Sequence, residues 1–227
     1  MNTNNFQYQW ALETTTIYGM TPEEKAKRYY HNLEIDTLEN KHLLVVGYGK
    51  GIELPLLKNE GAIITAIDCN KRDIEGIDTL QFDVIQFKPE QQFDYVYAYG
   101  VLHHTPDPKA YFMHLADLVK PGGKIFVWMY NRQRNTFLRK FNIFNWKPKN
   151  IMWVAKIQAV VTWPFHFIAH LLFNNKKRNL PSLVLRYYDS LCCENQYVYP
   201  ASFIKKWFEQ REMECKIDGE GYLGTKP

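Results

Sequence analysis

LLVVGYGKGIEL, residues 43–54, decides the fold: an apolar run ends in Gly47-Tyr48-Gly49-Lys50-Gly51, and the chain then turns helical. Twenty-one residues past Gly47, a second apolar run, AIITAI, ends in Asp68. A buried strand, a glycine turn, a helix and a second strand tipped with an acid make a site for a nucleoside ligand. Glycines let the backbone approach the ligand, and the helix N-terminus offers unpaired N–H groups. The acid suits a pair of ribose hydroxyls. A dinucleotide fingerprint would place its third glycine at position 52, which is Ile52 here. Gly-x-Gly-x-Gly, with no basic residue poised for a pyrophosphate, fits a ligand that lacks phosphates. Taken alone, the motif also fits an ordinary strand-to-helix turn.

Alternating elements surround this motif. Thr21-Pro22-Glu23-Glu24 opens a helix that runs to about Leu33, with Thr21 as cap and Pro22 in the first turn. The pattern predicts strands over 42–46, 62–67, 79–82, 93–99 and 124–130. It predicts helices over 51–59 and 108–119, a short acidic loop and helix over 70–77, and a turn at Lys120-Pro121-Gly122-Gly123. Strands separated by helices imply an α/β fold with a parallel sheet covered on both faces. A helix over 202–210 and a hairpin, 213–218 with 221–226, close the chain and bring the sheet to seven strands, doubly wound and mostly parallel. The organisation reads as an N-terminal aromatic strap and helix (1–40), a ligand-binding core (41–130), a helical lid insertion after strand five (131–185) and a C-terminal helix and hairpin (186–227).

Composition bounds the function. With 227 residues, 46% hydrophobic and 15% aromatic, the chain has ample material for a core and is not globally disordered. A net charge of +4 is too small to point to nucleic acid by itself. Cys69, Cys192, Cys193 and Cys215 contain no CxxC pair and read as reduced thiols of a cytoplasmic protein, with no metal site. The opening MNTNNFQYQW lacks the basic-then-apolar order of a signal peptide. Residues 151–173 have the length of a membrane span, but Lys156, Gln158, Pro164, His166 and His170 interrupt them. They read as a pair of helices covered by protein, with contact at a membrane surface as the other use of an apolar stretch.

Further motifs follow in order. Asp83 closes strand three in QFDV, GVLHHTPDP follows strand four, and LVKPGG precedes strand five. In these features, over residues 43–130, the chain resembles the class I S-adenosylmethionine-dependent methyltransferases. The LHH-x-P-D form is most similar to the small-molecule branch that includes ubiquinone and menaquinone biosynthesis enzymes. NFQYQW near the start and YDSLCCENQYVYPASF near the end resemble a group of uncharacterised bacterial methyltransferases.

The resemblance implies S-adenosylmethionine as cofactor and a small-molecule acceptor, methylated by direct in-line transfer. It implies that Gly47, Gly49 and Gly51 line the methionine part, that Asp68 accepts both ribose hydroxyls, and that Asp83 and the Val84 backbone meet the adenine. Tyr99 and Gly100 would flank the transferred methyl group. His103 and His104 are the candidate catalytic residues, as acceptors of a proton, or else structural histidines of the loop. Lys50 would pair with the cofactor carboxylate or remain solvated. Phe6, Tyr8 and Trp10 would form a lid or a strap. Tyr187, Tyr188, Asp189 and Tyr197 are candidates for lining the acceptor site. Trp146, Trp153, Trp163 and Phe165 would roof an apolar pocket or pack between helices.

Two departures stand out. The family's usual acid two residues before the first glycine is Val45, and its usual cysteine after that glycine is Tyr48. They keep open a protein that binds the cofactor without turnover. The basic clusters Arg132, Arg134, Arg139, Lys140 and Lys176-Lys177-Arg178 keep open a modified-tRNA acceptor. Ala98-Tyr99-Gly100-Val101 lacks the Pro-Pro-aromatic motif of enzymes that methylate base amines, which argues against nucleic acid.

Overall fold

Alternate residues of the first strand part to opposite faces of a sheet, and that separation builds the fold. In β1 (His42–Val46), Leu44 and Val46 join one buried cluster while Leu43 and Val45 join another. The same division holds in β4 (Phe93–Tyr99) and β5 (Val119–Trp128): Val96, Ala98, Ile125 and Val127 face one way, Tyr97 and Phe126 the other. A period of two on strands with both faces buried is what a helix-covered sheet requires.

This computed structural model describes residues 8, 20–70, 72–130, 148–173, 180–193, 195–218 and 221–227. The described residues form two compact units, 22–130 with 195–227, and 8, 20–21 with 148–193. The first contains a seven-stranded sheet in the order β3-β2-β1-β4-β5-β7-β6. The remaining strands are β2 (Ile63–Asp68), β3 (Asp78–Gln81), β6 (Glu214–Asp218) and β7 (Gly221–Thr225). Strands β1 to β5 pair in parallel, and β7 runs antiparallel to both β5 and β6. This is the doubly wound, Rossmann-like α/β architecture that the strand and helix pattern implies, with the closing hairpin antiparallel.

Helix α1 (Pro22–Leu33) and the short α2 (Leu54–Asn59) supply Tyr29, Leu33, Leu54 and Leu57 to one face. On the other face, α3 (Pro108–Asp117) supplies Phe112 and Leu115, and α6 (Ala201–Glu209) supplies Ile204, Trp207 and Phe208. Asp107 starts α3: its carboxylate accepts the backbone N–H groups of Lys109 and Ala110, both at 3.1 Å, and Pro108 follows in the first turn. In the edge strand β6, Glu214, Lys216 and Ile217 stand exposed, and the charged pair suits an unpaired edge.

Three local expectations need correction. The helix expected over 51–59 begins only at Leu54, because Gly51 is left-handed at φ 58° and the next two residues complete the turn. Among the described residues of 70–77 no helix forms. The stretch is short and contains Gly76, so it cannot offset the cost of nucleation. Lys120-Pro121-Gly122-Gly123 is not a free turn but belongs to β5, where Gly122 N–H donates to Lys226 O and Lys226 N–H donates to Gly123 O, both at 3.0 Å.

The second unit contains α4 (Pro148–Phe173) and α5 (Leu180–Cys192). Residues 151–173 belong to one helix, not to a pair, and it runs unbroken through Pro164. Pro164 stands on its exposed side, where the carbonyl deprived of an amide is not sealed in a core. Its partner is α5: Ile151, Met152 and Ala155 pack with Tyr188, Leu191 and Cys192, and the Tyr8 ring lies 6.0 Å from that of Tyr188. Trp153, Trp163 and Phe165 are all exposed, so they do not pack between α4 and α5. Phe6, Trp10 and Trp146 lie outside the described residues, as do the basic clusters at 132–140 and 176–178.

Phe208 is fully buried and abuts Gly224, where an added Cβ would come within 2.4 Å of its ring. Phe208→Ala should therefore cost about 3–5 kcal/mol, read as a lower denaturant midpoint at unchanged slope.

Candidate functional site

The strand order reverses between β1 and β4, and open α/β sheets bind ligands at the C-terminal ends of strands at such a point. Both strands turn sharply there. Gly47, Gly49 and Gly51 are all left-handed, with φ of 69°, 58° and 58°. Glycine alone visits this region without strain. At Gly47 a Cβ would also lie 2.1 Å from Val101 Cγ2, so the turn after β1 fits tightly against the exit of β4. Gly100, at φ 78°, turns that exit.

Asp68 ends β2 and reaches across to the glycine turn. Its Oδ2 accepts the Gly49 N–H at 3.0 Å and its Oδ1 accepts the Asn70 N–H at 2.9 Å. Burial pushes the carboxyl above its usual range, and the amides of Asn70 and Gly49 pull it back in part. Oδ1 also meets the Cys69 thiol at 3.5 Å, a weak donor that a hydroxyl can displace, and Oδ2 keeps capacity for a further donor, so the carboxylate suits a vicinal diol. Neighbouring Cys69 is no nucleophile: burial first, then Asp68, push its thiol up to about 12.

The ends of β2 and β3 are tied by Phe82 N–H donating to Asp68 O at 3.2 Å. Asp83 follows at the head of a short 3₁₀ turn, Val84–Gln86, and accepts the Tyr111 hydroxyl at 2.7 Å on Oδ2. Its side chain is thereby aimed and stays exposed, beside the buried Val84. Tyr99, half-buried at the tip of β4, stacks on Trp128 with centroids 4.9 Å apart.

The two histidines sit in a 3₁₀ turn, Leu102–His104, and are held in opposite tautomers. His103 Nδ1 accepts the Tyr130 backbone N–H at 3.3 Å, so a neutral ring carries its proton on Nε2. That ring is fully buried and stacks on Tyr130 at 3.8 Å. His104 Nδ1 lies 2.9 Å from Asn195 O, which can only accept, so Nδ1 carries a proton and a neutral ring has its lone pair on Nε2. Two more bonds join this loop to the segment before α6: Tyr197 N–H donates to His103 O at 2.9 Å, and the Tyr197 hydroxyl donates to Pro106 O at 3.2 Å.

Residues 21–215 match the profile of the methyltransferase-domain family. The chain belongs to that family. Among curated relatives of this methyltransferase domain, the ubiquinone biosynthesis O-methyltransferase of Coxiella burnetii is 33% identical over 129 residues, covering 50% of this chain and 55% of that protein. The enzyme of the same name from Saccharophagus degradans is 34% identical over 111 residues, covering 43% and 47%. The chain thus spans about half the length of the curated relatives it matches. The 1,6-didemethyltoxoflavin-N1-methyltransferase of Burkholderia thailandensis was solved with bound 1,6-didemethyltoxoflavin and S-adenosylhomocysteine. It superposes with a TM-score of 0.50 at 13% identity, covering 90% of this chain and 76% of that one, and shares the fold.

Three residues of the site were not singled out for these roles in the sequence. The Tyr48 hydroxyl accepts the Arg72 N–H at 2.8 Å and donates to Arg72 O at 2.9 Å, pinning the loop after β2 to the glycine turn. Glu53 is buried at the end of that turn, 2.7 Å from Lys25 Nζ, and accepts the Tyr29 hydroxyl at 3.3 Å. The Arg28 guanidinium lies over the Tyr99 ring at 4.9 Å. An acid inside the apolar run GIELPLL was a signal for Glu53, whereas nothing local marks Arg28 or Tyr48. Of the candidates for an acceptor site, Tyr188 is fully buried in the α4–α5 core and the Tyr187 hydroxyl is bonded to Thr162 and His166. The Asp189 carbonyl accepts from Cys193 Sγ.

Gly47→Ala should destabilise the fold by roughly 1–3 kcal/mol through the clash and the left-handed backbone. In a double-mutant cycle Val101→Ala should recover the steric part, so the two changes couple favourably. Asp68 titrates high when folded, so its contribution to stability is greatest in acid and is lost as pH rises through that value. The melting temperature of Asp68→Asn relative to the parent should therefore rise as the pH is raised from about 4.

Proposed function

We propose that this chain, in the cytoplasm, transfers the methyl group of S-adenosylmethionine directly to a small, apolar acceptor. One observation carries the reading: a buried carboxylate cross-bonded to a turn of three left-handed glycines at the switch point of a methyltransferase-family sheet. The names of the curated relatives support a small-molecule acceptor, and the four unbridged cysteines suit a reducing compartment.

S-adenosylmethionine, when bound, supplies an electrophilic methyl group on a good leaving group. Asp68 holds the ribose hydroxyls through the lone pairs that Gly49 and Asn70 leave. Asp83, aimed by Tyr111, and the Val84 backbone hold the adenine edge. Gly47, Gly49 and Gly51 let the backbone approach the methionine part, and Arg28 offers its carboxylate a cation. Tyr99 and Gly100 flank the path of the methyl group. His104 presents its basic Nε2 to the acceptor's hydroxyl or amine proton, while His103 braces the loop from within. Alignment and exclusion of water supply the rest of the acceleration. Val45 leaves the family's usual acid absent, while the buried acid at the far end of the turn, Glu53, bonds Lys25 and Tyr29 of α1.

Calorimetry with S-adenosylhomocysteine tests the cofactor assignment: the parent binds, and Asp68→Ala binds about 10–100-fold more weakly. A folded parent that binds neither S-adenosylmethionine nor S-adenosylhomocysteine would sink it. Turnover with a panel of small hydroxyl and amine acceptors then tests His104→Asn, which keeps the donor to Asn195 but has no basic nitrogen. Its kcat should fall about 100-fold or more with cofactor affinity unchanged. An unaltered kcat would remove His104 from proton transfer.

A further inference from the structure

Helix α4 is inside out. Trp153, Ile157, Val161, Phe165, Ile168 and Leu172 form one exposed face, with Trp153 at 66% and Phe165 and Leu172 at 70% exposure. The steps between them are three or four residues, so they follow a single stripe. On the opposite side, beside Ala155 and Ala159, lie Thr162 and His166, which meet the Tyr187 hydroxyl of α5 at 2.8 and 3.2 Å. A water-facing helix has the reverse arrangement. Polar side chains satisfied inward and large apolar ones turned outward suit a helix whose surroundings are hydrocarbon.

Charge identifies which hydrocarbon surface. The insertion, residues 131–185, holds 10 of the chain's 28 lysines and arginines and none of its 24 acids. The remaining residues carry 18 basic and 24 acidic groups, so the positive charge of the whole chain belongs to this insertion. Basic residues mark both ends of the apolar helix in sequence, Lys147 just before it, Lys149 in its first turn and Lys176-Lys177-Arg178 after it. Lys156 lies 5.8 Å from the centre of the Trp153 ring, an amphipathic pair of the kind that sits at a headgroup boundary.

Connectivity excludes a crossing. By length and composition α4 could span a bilayer. The chain enters the insertion from β5 and must return to β7 and β6 of the same sheet, so it can cross only an even number of times. With 13 residues, α5 is about 20 Å long against a hydrocarbon core of about 30 Å. The stretch 131–147 has five basic residues among its seventeen and cannot serve as a second span.

We propose that the exposed face of α4 docks in the plane of an anionic lipid bilayer, its apolar side chains among the acyl chains and the insertion's cations on the headgroups. The proposal stands apart from the methyltransferase reading, since it needs neither cofactor nor turnover. The full chain should co-sediment with phosphatidylcholine vesicles containing phosphatidylglycerol, with a blue shift of tryptophan fluorescence. It should bind at least about tenfold more weakly to phosphatidylcholine alone, and salt raised from about 0.1 M to about 1 M should weaken binding to the anionic vesicles. The double variant Ile157→Glu, Val161→Glu changes exposed positions and should keep its circular dichroism and melting temperature while losing binding about tenfold or more. A parent that stays in the supernatant overturns the proposal, as does undiminished binding by a folded double variant, which would reduce the effect to charge alone. Resistance to alkaline extraction with a protease-protected α4 would show a span instead. Lipid-free dimers abolished by the same substitutions, without vesicle binding, would assign the face to a second copy of the chain.

Discussion

A carboxylate buried at the end of a strand and bonded to two backbone amides is the constraint on which this site turns. Burying the Asp68 charge is costly, and the Gly49 and Asn70 amides return only part of that cost. The Gly49 amide can reach Asp68 only because the turn runs through left-handed backbone. That turn in turn lies so close to Val101 that position 47 accepts no side chain. Carboxylate, turn and β4 exit are therefore one mechanical unit, less stable than it could be and ready for a ligand bearing hydroxyl donors.

Much of this was legible in the sequence, for physical reasons. Two-sided burial makes strands such as LLVV and FDYVYAY read as near-continuous apolar runs, and glycine spacing marks backbone that other residues cannot adopt. Strand ends were legible too, because Asp68 and Asp83 interrupt apolar runs at the sheet's rim. What was not legible depends on contacts far along the chain. Tyr48 looked like a departure from the family pattern, yet its hydroxyl clamps Arg72, 24 residues away. The segment 70–77 was expected to hold a short helix, but the Tyr48 clamp on Arg72 and Gly76 keep its described residues as loop. The tautomers of His103 and His104 are set by Tyr130 N–H and Asn195 O, which no local pattern encodes.

The insertion was misjudged for a different reason. Apolar residues occur all round α4, so its periodicity says little about which side faces inward. Pro164, His166 and His170 looked like interruptions that end a helix or bar it from an apolar setting. Two of the polar residues, Thr162 and His166, instead share Tyr187 as an inward partner, and α4 continues past them. Which face is covered follows from the small residues Ala155 and Ala159, which let α5 approach.

The clasp between the histidine loop and residues 195–197 has a consequence for how such chains diverge. Asn195 takes part through its carbonyl, and Tyr197 N–H meets His103 through main chain at both ends. Side chains at 195 can therefore change without loosening the ring of His104, whereas deleting one residue there would slide every partner out of step. Spacing, more than identity, is what inheritance must guard at this point, and a comparison that scores letters alone will undervalue it.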